Sequence, residues 1–138
     1  MYRAFRNENV QELATNASVP VINGLDDREH PCQTIADLFT VKERRGELKG
    51  LKLTYVGDGN NVCNSLLLGT AIVGMDMTAA CPPGYEPDPA ILAHAQRIAK
   101  ETGSTLEVVH DPAIGVRGAD ILYTDVWVSM GQEKEREE

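Results

Sequence analysis

Short apolar runs alternate with segments of helical periodicity between residues 51 and 124, and this alternation limits the chain to a narrow set of folds. Strand-like runs cover residues 51–56, 75–80, 105–109 and 121–124. The predicted helices between them are residues 61–73, 89–102 and a short segment that begins at Asp111-Pro112 and ends near Gly118. This order predicts an α/β fold: a Rossmann-like parallel sheet with right-handed crossovers and helices on both faces.

The first 50 residues contain further helical and extended segments. Residues 8–16 form a predicted helix with Asn7 as its N-cap. Residues 19–22 form an extended run, which the turn dipeptide Asn23-Gly24 is expected to close.

Another helix is predicted from Pro31, directly after His30, to Gly46. Its apolar residues recur at helical spacing, so we expect them to face the core. These residues are Ile35, Leu38 and Phe39.

The composition excludes several classes of function. The 138 residues, of which 42% are hydrophobic and 25% charged, fit one ordinary globular domain. A net charge of −8 suits neither nucleic acid nor an anionic membrane surface, and no apolar run reaches the roughly 18 residues of a membrane span. Cys32, Cys63 and Cys81 form neither a disulfide framework nor a Cys-x-x-Cys metal pair. We therefore expect a metal-free chain in a reducing cytoplasm.

Ligands of parallel α/β sheets bind outside the carboxyl ends of the strands, which singles out the segments after each predicted strand. These segments are Gly57–Asn61, Cys81–Gly84, His110–Asp111 and Asp125–Gly131. The first begins like the dinucleotide fingerprint G-x-G-x-x-G, but Val62 occupies the third glycine position. Two interpretations of this segment stay open. It is part of a nucleotide-binding Rossmann domain of an oxidoreductase, or it is a tight turn between a strand and a helix that needs glycine.

Two other motifs carry polar groups suited to small ligands. In His30-Pro31-Cys32-Gln33, the histidine precedes a helix whose dipole favours a neutral imidazole and a nearby anion, although a capping or surface role is also open. Asp125 ends a strand, and Ser129 and Met130 follow it closely. This trio can hold a cationic amino group, or Asp125 can simply cap the next helix.

Together these motifs resemble the ornithine carbamoyltransferases over nearly the whole chain. The likeness rests on His30–Gln33, Gly57–Asn61 and Asp125–Gly131 in that order, supported by Val19–Leu25 and Gly84–Asp88. The ornithine enzymes share their fold with the aspartate carbamoyltransferases. Ser-Met-Gly at the end of the third motif is typical of the ornithine enzymes and distinguishes the two groups.

The resemblance implies roles for individual residues. His30 and Gln33 match family residues that contact carbamoyl phosphate, and Arg3 stands where the family has another arginine for that substrate. Arg3 and His30 are also the implied catalytic donors. The implied ornithine-binding residues are Asn61, Asp125, Ser129 and Met130.

The implied reaction is transfer of a carbamoyl group from carbamoyl phosphate to the δ-amino group of L-ornithine, giving L-citrulline and phosphate in arginine metabolism. It needs no cofactor and no metal. Family members assemble as homotrimers or higher oligomers through the carbamoyl phosphate domain.

The resemblance also implies a division of the chain. Residues 1–29 correspond to the end of the carbamoyl phosphate domain, 30–46 to the linking helix and 47–138 to a truncated ornithine-binding domain. The family's Ser-x-Arg-Thr-Arg and His-Cys-Leu-Pro motifs do not occur in the 138 residues, so we expect an internal piece that is inactive alone. A non-catalytic amino-acid-binding module is a further alternative.

Overall fold

The structure is a computed structural model that describes residues 1–126. Its elements are β1 (Tyr2–Arg3), α1 (Asn7–Asn16), β2 (Asn23–Leu25), α2 (Pro31–Arg45), β3 (Lys52–Val56), α3 (Asn61–Val73), β4 (Asp76–Ala80), α4 (Pro89–Thr102), β5 (Leu106–Val109), α5 (Pro112–Gly115) and β6 (Ile121–Thr124). The alternation predicted for residues 51–124 is confirmed: α3 and β6 have the predicted bounds, and β3, β4 and β5 each begin one residue later.

The main sheet is parallel and has the strand order β5-β4-β3-β6. From β3 the chain steps outward to β4 and then β5, and it returns across the sheet to place β6 on the other side of β3. The direction of winding therefore reverses between β3 and β6, and the carboxyl ends of these two strands flank a crevice.

Side chains of the central strands alternate between two covered faces. Leu53, Tyr55 and Met77 lie in the core cluster with residues of α3 and α4. On the other face, Thr54 donates its hydroxyl to the Gly115 carbonyl of α5 at 2.8 Å, and a Cβ on Gly115 would lie 3.0 Å from that of Ala80. The predicted arrangement of helices on both faces is confirmed.

The termini of α3 follow from a few polar and glycine positions. The Asn60 side chain accepts hydrogen bonds from the backbone N–H groups of Val62 and Cys63 and so caps the helix. Gly74 ends it in a left-handed conformation. Gly69 lets α2 approach closely, because any side chain there would overlap Thr34.

Two predictions for the first 25 residues are wrong. Asn7 is the first residue of α1 and not its cap, since its backbone N–H bonds to the Asp27 carboxylate at 2.8 Å. Asn23-Gly24 is not a turn but part of β2, which pairs in parallel with β1. The Tyr2 and Ala4 backbone N–H groups donate to the carbonyls of Ile22 and Leu25 on either side of this dipeptide, and this pairing outweighs its local turn preference.

The prediction for the apolar residues of α2 is correct only in part. Leu38 is buried, whereas Ile35 and Phe39 are 67% and 61% exposed. Because α2 rests on α3 through Thr34 and Leu38, the stripe formed by Ile35 and Phe39 faces away from that contact. No helix within residues 1–126 is long and apolar enough to cross a membrane.

Candidate active site

A cavity of about 670 Å³ opens at the carboxyl ends of β3 and β6, where the winding of the sheet reverses. One wall comes from the sheet: residues 58–62 follow β3, and Tyr123, Asp125 and Val126 lie at the end of β6. The opposite wall comes from the first third of the chain: residues 3–5, residues 25–27, His30 and Gln33.

All the predicted site residues that the structure describes line this cavity. They are Arg3, His30, Gln33, Asn61 and Asp125. Ser129 and Met130 lie outside the described residues. The loops 81–84 and 110–111 also follow strands, but they do not line the cavity. Of the four strand ends that the sequence singled out, the two at the switch point, those of β3 and β6, line the cavity.

His30 is held at the junction of the two walls. Its backbone N–H donates to the Ser65 hydroxyl of α3 at 2.7 Å, and its Nδ1 is buried without a hydrogen bond in the described part of the chain. Burial lowers the pKa of the imidazole, and the Arg3 guanidinium lowers it further. The neutral ring expected from the sequence is supported, although burial and a cation are the causes here.

Gln33 has a fixed orientation because of a residue that the sequence analysis missed. Its Nε2 donates to the Asp37 carboxylate one helical turn later, at 2.9 Å. Since a carboxylate only accepts, the amide nitrogen must face Asp37, and Oε1 is left as the acceptor of that amide. The i, i+4 spacing within α2 was the available signal.

Asn61 links the cavity wall of the sheet to the segment after β2. Its Nδ2 donates to the Asp26 carbonyl at 2.6 Å. The buried Asp26 carboxylate accepts four hydrogen bonds in turn, from Asn7, Asn23, Arg28 and Glu29. The position of Asn61 is thus tied to the same loop that leads into His30.

Asp125 receives hydrogen bonds on both carboxylate oxygens. Asn60 Nδ2 donates to Oδ2 at 3.0 Å, and the Val126 backbone N–H donates to Oδ1 at 2.8 Å. Beneath Asn60, the buried Tyr55 hydroxyl donates to the Asp58 carbonyl at 2.8 Å, and its ring stacks on that of Tyr123 with centroids 5.9 Å apart. Asn60 had no role predicted from the sequence, and its position directly before α3 was the available signal.

The glycine-rich segment after β3 serves the chain's own packing. Gly59 donates its backbone N–H to the Tyr85 carbonyl at 2.8 Å. A Cβ on Gly59 would overlap the backbone of Glu86 and Pro87. The space in front of this glycine, where a nucleotide pyrophosphate would approach, is therefore filled by the loop after β4.

Residues 1–126 contain no group of three or more His, Cys, Asp or Glu side chains arranged to hold a metal ion. The side chains that line the cavity include a guanidinium, an imidazole, amides and carboxylates.

The fold and the cavity define a Rossmann-like α/β protein whose ligand site lies at the switch point of a parallel sheet. The family models make this specific: residues 49–138 match the aspartate/ornithine carbamoyltransferase Asp/Orn-binding domain, and residues 1–43 match its carbamoyl-P-binding domain. The chain belongs to the aspartate/ornithine carbamoyltransferase family, which confirms the family predicted from the motifs.

Curated relatives are similar over the whole chain but are much longer. The chain is 62% identical over 138 residues to the ornithine carbamoyltransferase of Methanothermobacter thermautotrophicus, and it covers 46% of that protein. It is 59% identical over 137 residues to the ornithine carbamoyltransferase of Bacillus cereus, of which it covers 43%. The chain therefore spans less than half the length of these relatives.

Solved structures agree with the fold. The ornithine carbamoyltransferase of Pyrococcus furiosus superposes with a TM-score of 0.93 at 50% identity, covering 98% of this chain and 43% of that one. The enzyme from Gloeobacter violaceus superposes with a TM-score of 0.89 at 55% identity, covering 91% of this chain and 44% of that one.

Proposed function

We propose that a longer protein containing these 138 residues transfers a carbamoyl group from carbamoyl phosphate to the δ-amino group of L-ornithine, giving L-citrulline and phosphate. The observation that carries the proposal is the meeting of Arg3, His30 and Gln33 with Asn61 and Asp125 in one cavity. The names of the similar proteins support the same reaction.

Carbamoyl phosphate is proposed to lie against the wall formed by the first third of the chain. Arg3 supplies a permanent positive charge for the anion, and the neutral His30 supplies one ring N–H. Gln33 presents Oε1, which can accept a hydrogen bond from the carbamoyl amino group. The three side chains thus match an anion, a carbonyl oxygen and an amide N–H.

Ornithine is proposed to lie against the sheet. Asp125, held by Asn60 and by the Val126 backbone, is placed to pair with the α-amino group. Asn61 is the proposed amide partner of the same substrate. The resemblance adds Ser129 and Met130 as further contacts.

The reaction asks two things of this site. The attacking δ-amine must be neutral and aimed at the carbonyl carbon, and orientation of that kind lowers a barrier by several kcal/mol, up to about 7–11. The carbonyl oxygen gains negative charge in the tetrahedral transition state, where Arg3 and His30 are the proposed donors. Losing one such donor has cost about 2.7–4 kcal/mol where it has been measured.

Other parts of the proposal concern organisation. Residues 1–29 are proposed to end the carbamoyl phosphate domain, 30–46 to link the domains and 47–138 to belong to the ornithine domain, within a homotrimer or higher assembly in the cytoplasm. No cofactor is required for the proposed reaction.

A chimera tests the proposal. Residues 1–138 replace the matching segment of the Methanothermobacter thermautotrophicus relative, to which they are 62% identical. We expect citrulline formation that depends on both substrates. A folded chimera that forms no citrulline would contradict the proposed function, and ornithine binding without turnover would favour an amino-acid-binding module.

The 138 residues alone are expected to form no citrulline above a protein-free control. The charge-assisted contacts of a single arginine contribute about 1.5–3 kcal/mol each, which is little for a dianionic phosphate. Light scattering at micromolar concentration is expected to show no defined trimer.

A further inference from the structure

The side chain of Asn60 contacts two elements that flank the cavity. On one side, its Oδ1 accepts the backbone N–H groups of Val62 and Cys63 at 3.0 and 3.1 Å, at the start of α3. On the other side, its Nδ2 donates to Asp125 Oδ2 at 3.0 Å, at the end of β6. The helix α3 follows β3, and the direction of winding of the sheet reverses between β3 and β6.

The orientation of this amide is determined by hydrogen-bond chemistry. Backbone N–H groups only donate and a carboxylate only accepts, so Oδ1 must face α3 and Nδ2 must face Asp125. Turning the amide over would lose all three hydrogen bonds. The buried Tyr55 hydroxyl lies 3.4 Å from Oδ1, but it donates its one proton to the Asp58 carbonyl at 2.8 Å, so the orientation rests on the three bonds above.

We propose that Asn60 is a positioning residue for the amino-acid substrate: it fixes the Asp125 carboxylate so that its free lone pairs face the cavity. The proposal rests on the proposed function for the identity of that substrate. Asp125 directly follows β6, and among residues 1–126 the backbone donor to its side chain is the adjacent Val126 N–H. Asn60 supplies the connection from the end of β6 to the start of α3 on the other side of the crevice.

Substitutions can separate this role from helix capping. Asn60→Ser and Asn60→Asp both keep an oxygen that caps α3, and neither has an amide to donate to Asp125. Asp88→Ala is the matched control, because Asp88 caps α4 through Ala90 and Ile91 and does not line the cavity.

The variants are measured in the chimera with Methanothermobacter thermautotrophicus. For both Asn60 variants we expect the KM for ornithine to rise at least about tenfold, the size of one lost charged hydrogen bond, with kcat and the KM for carbamoyl phosphate within about threefold. For Asp88→Ala we expect a lower Tm with both KM values unchanged. An unchanged ornithine KM in the two Asn60 variants, or equal losses for both substrates that follow Tm, would overturn the proposal.

A measurement without substrate separates this proposal from the proposed function. In NMR spectra of the 138-residue chain, Asp125→Ser should shift the Asn60 side-chain amide protons and speed their exchange with water, while the Val62 and Cys63 amides stay as they were. If the unsubstituted chimera is inactive but this response occurs, the proposed reaction fails and the positioning contact stands. If the Asn60 amide protons do not respond, the positioning proposal is wrong whatever the activity.

Discussion

Gln33 donates its side-chain amide to Asp37 across one turn of α2, with 2.9 Å between Nε2 and Oδ1. Gln33 lines the cavity and Asp37 does not. Asp37 also acts on the opposite wall. The pKa of Tyr123 is raised to about 12, first by burial and then by the negative charge of Asp37 and a hydrogen bond to it. One carboxylate behind the site therefore influences a side chain on each wall.

Replacing Asp37 is expected to weaken the binding of carbamoyl phosphate. In Asp37→Val, the Gln33 amide loses its charged acceptor and can rotate, so Oε1 is no longer held in one orientation. The lost hydrogen bond to a charged group is worth about 1.5–3 kcal/mol. We expect the KM for carbamoyl phosphate in the chimera to rise about tenfold or more, with little change in the KM for ornithine.

Asp37→Asn provides the matched control, because its Oδ1 can still accept from Gln33. It should restore most of the affinity for carbamoyl phosphate. In both variants the pKa of Tyr123, followed by NMR, should fall below about 12 and stay above 10, since burial is the larger cause of its shift. Equal losses of carbamoyl phosphate affinity in the two variants would contradict the orienting role.

The sheet, and two of the segments that line the cavity, could be predicted from the sequence for identifiable reasons. Strand and helix periodicity located β3–β6, and the rule for strand ends located Asn61 and Asp125. The errors arose where distant segments override local preference: Asn23-Gly24 has turn composition, yet it lies in β2, where Asn23 pairs with Tyr2 and Leu25 pairs with Arg3. Burial of Ile35 and Phe39 depends on what covers α2, which helical spacing does not specify.

The residues that the sequence analysis missed act through other side chains. Asn60 and Asp37 are recognisable only once the structure shows which oxygen or nitrogen each of them faces. Local spacing did place them beside motif residues, but the contact between Asn60 and Asp125 joins positions 65 residues apart. A pattern within one motif does not contain that information.

Gly59→Ala is expected to destabilise the fold, because the new methyl group would overlap the backbone of Glu86 and Pro87. Overpacking of this kind costs about 1–3 kcal/mol, and a backbone neighbour yields less readily than a side chain. Thermal unfolding should show a clearly lower Tm, with faster proteolysis of the loop 82–88.

Gly84→Ala in the same loop is the comparison for Gly59→Ala. Gly84 has a φ of +88° and open space around its Cβ position, so only backbone strain of about 1 kcal/mol applies.

NAD is expected not to bind the unsubstituted chain in a calorimetric titration. Saturable NAD binding that Gly59→Ala abolishes would restore the nucleotide-binding interpretation.

His30 is expected to stay neutral below the pH at which an ordinary histidine protonates. Because burial and Arg3 lower its pKa below 6.5, the unfolded chain binds more protons than the folded chain once the pH falls below about 6.5. The contribution of His30 to stability is therefore complete above this pH and is lost as the pH falls toward the folded pKa. An NMR titration of the ring protons measures that pKa directly.

Arg3→Gln separates the two causes of this shift. Removing the guanidinium should raise the pKa of His30, because burial is then the remaining cause that lowers it, while the charges of Asp37 and Asp125 continue to raise it. His30→Gln should remove the corresponding loss of Tm between pH 6.5 and pH 5. A His30 pKa at or above 6.5 in the unsubstituted chain would contradict the partly buried, neutral ring.

Asp125→Asn and His30→Ala should divide the reaction in the chimera between substrate binding and chemistry. Asp125→Asn keeps the size of the side chain and removes the charge proposed to pair with the ornithine α-amino group. Losing that charged hydrogen bond costs about 1.5–3 kcal/mol, so kcat/KM for ornithine should fall about 10- to 150-fold while carbamoyl phosphate binding stays nearly unchanged.

His30→Ala removes a donor to the developing oxyanion, so kcat should fall about 10²–10³-fold even at saturating substrates. A purely capping His30 predicts less than about a tenfold loss together with a lower Tm. If Asp125→Asn instead weakened carbamoyl phosphate alone and spared ornithine, the sheet side of the cavity would not be the amino-acid side.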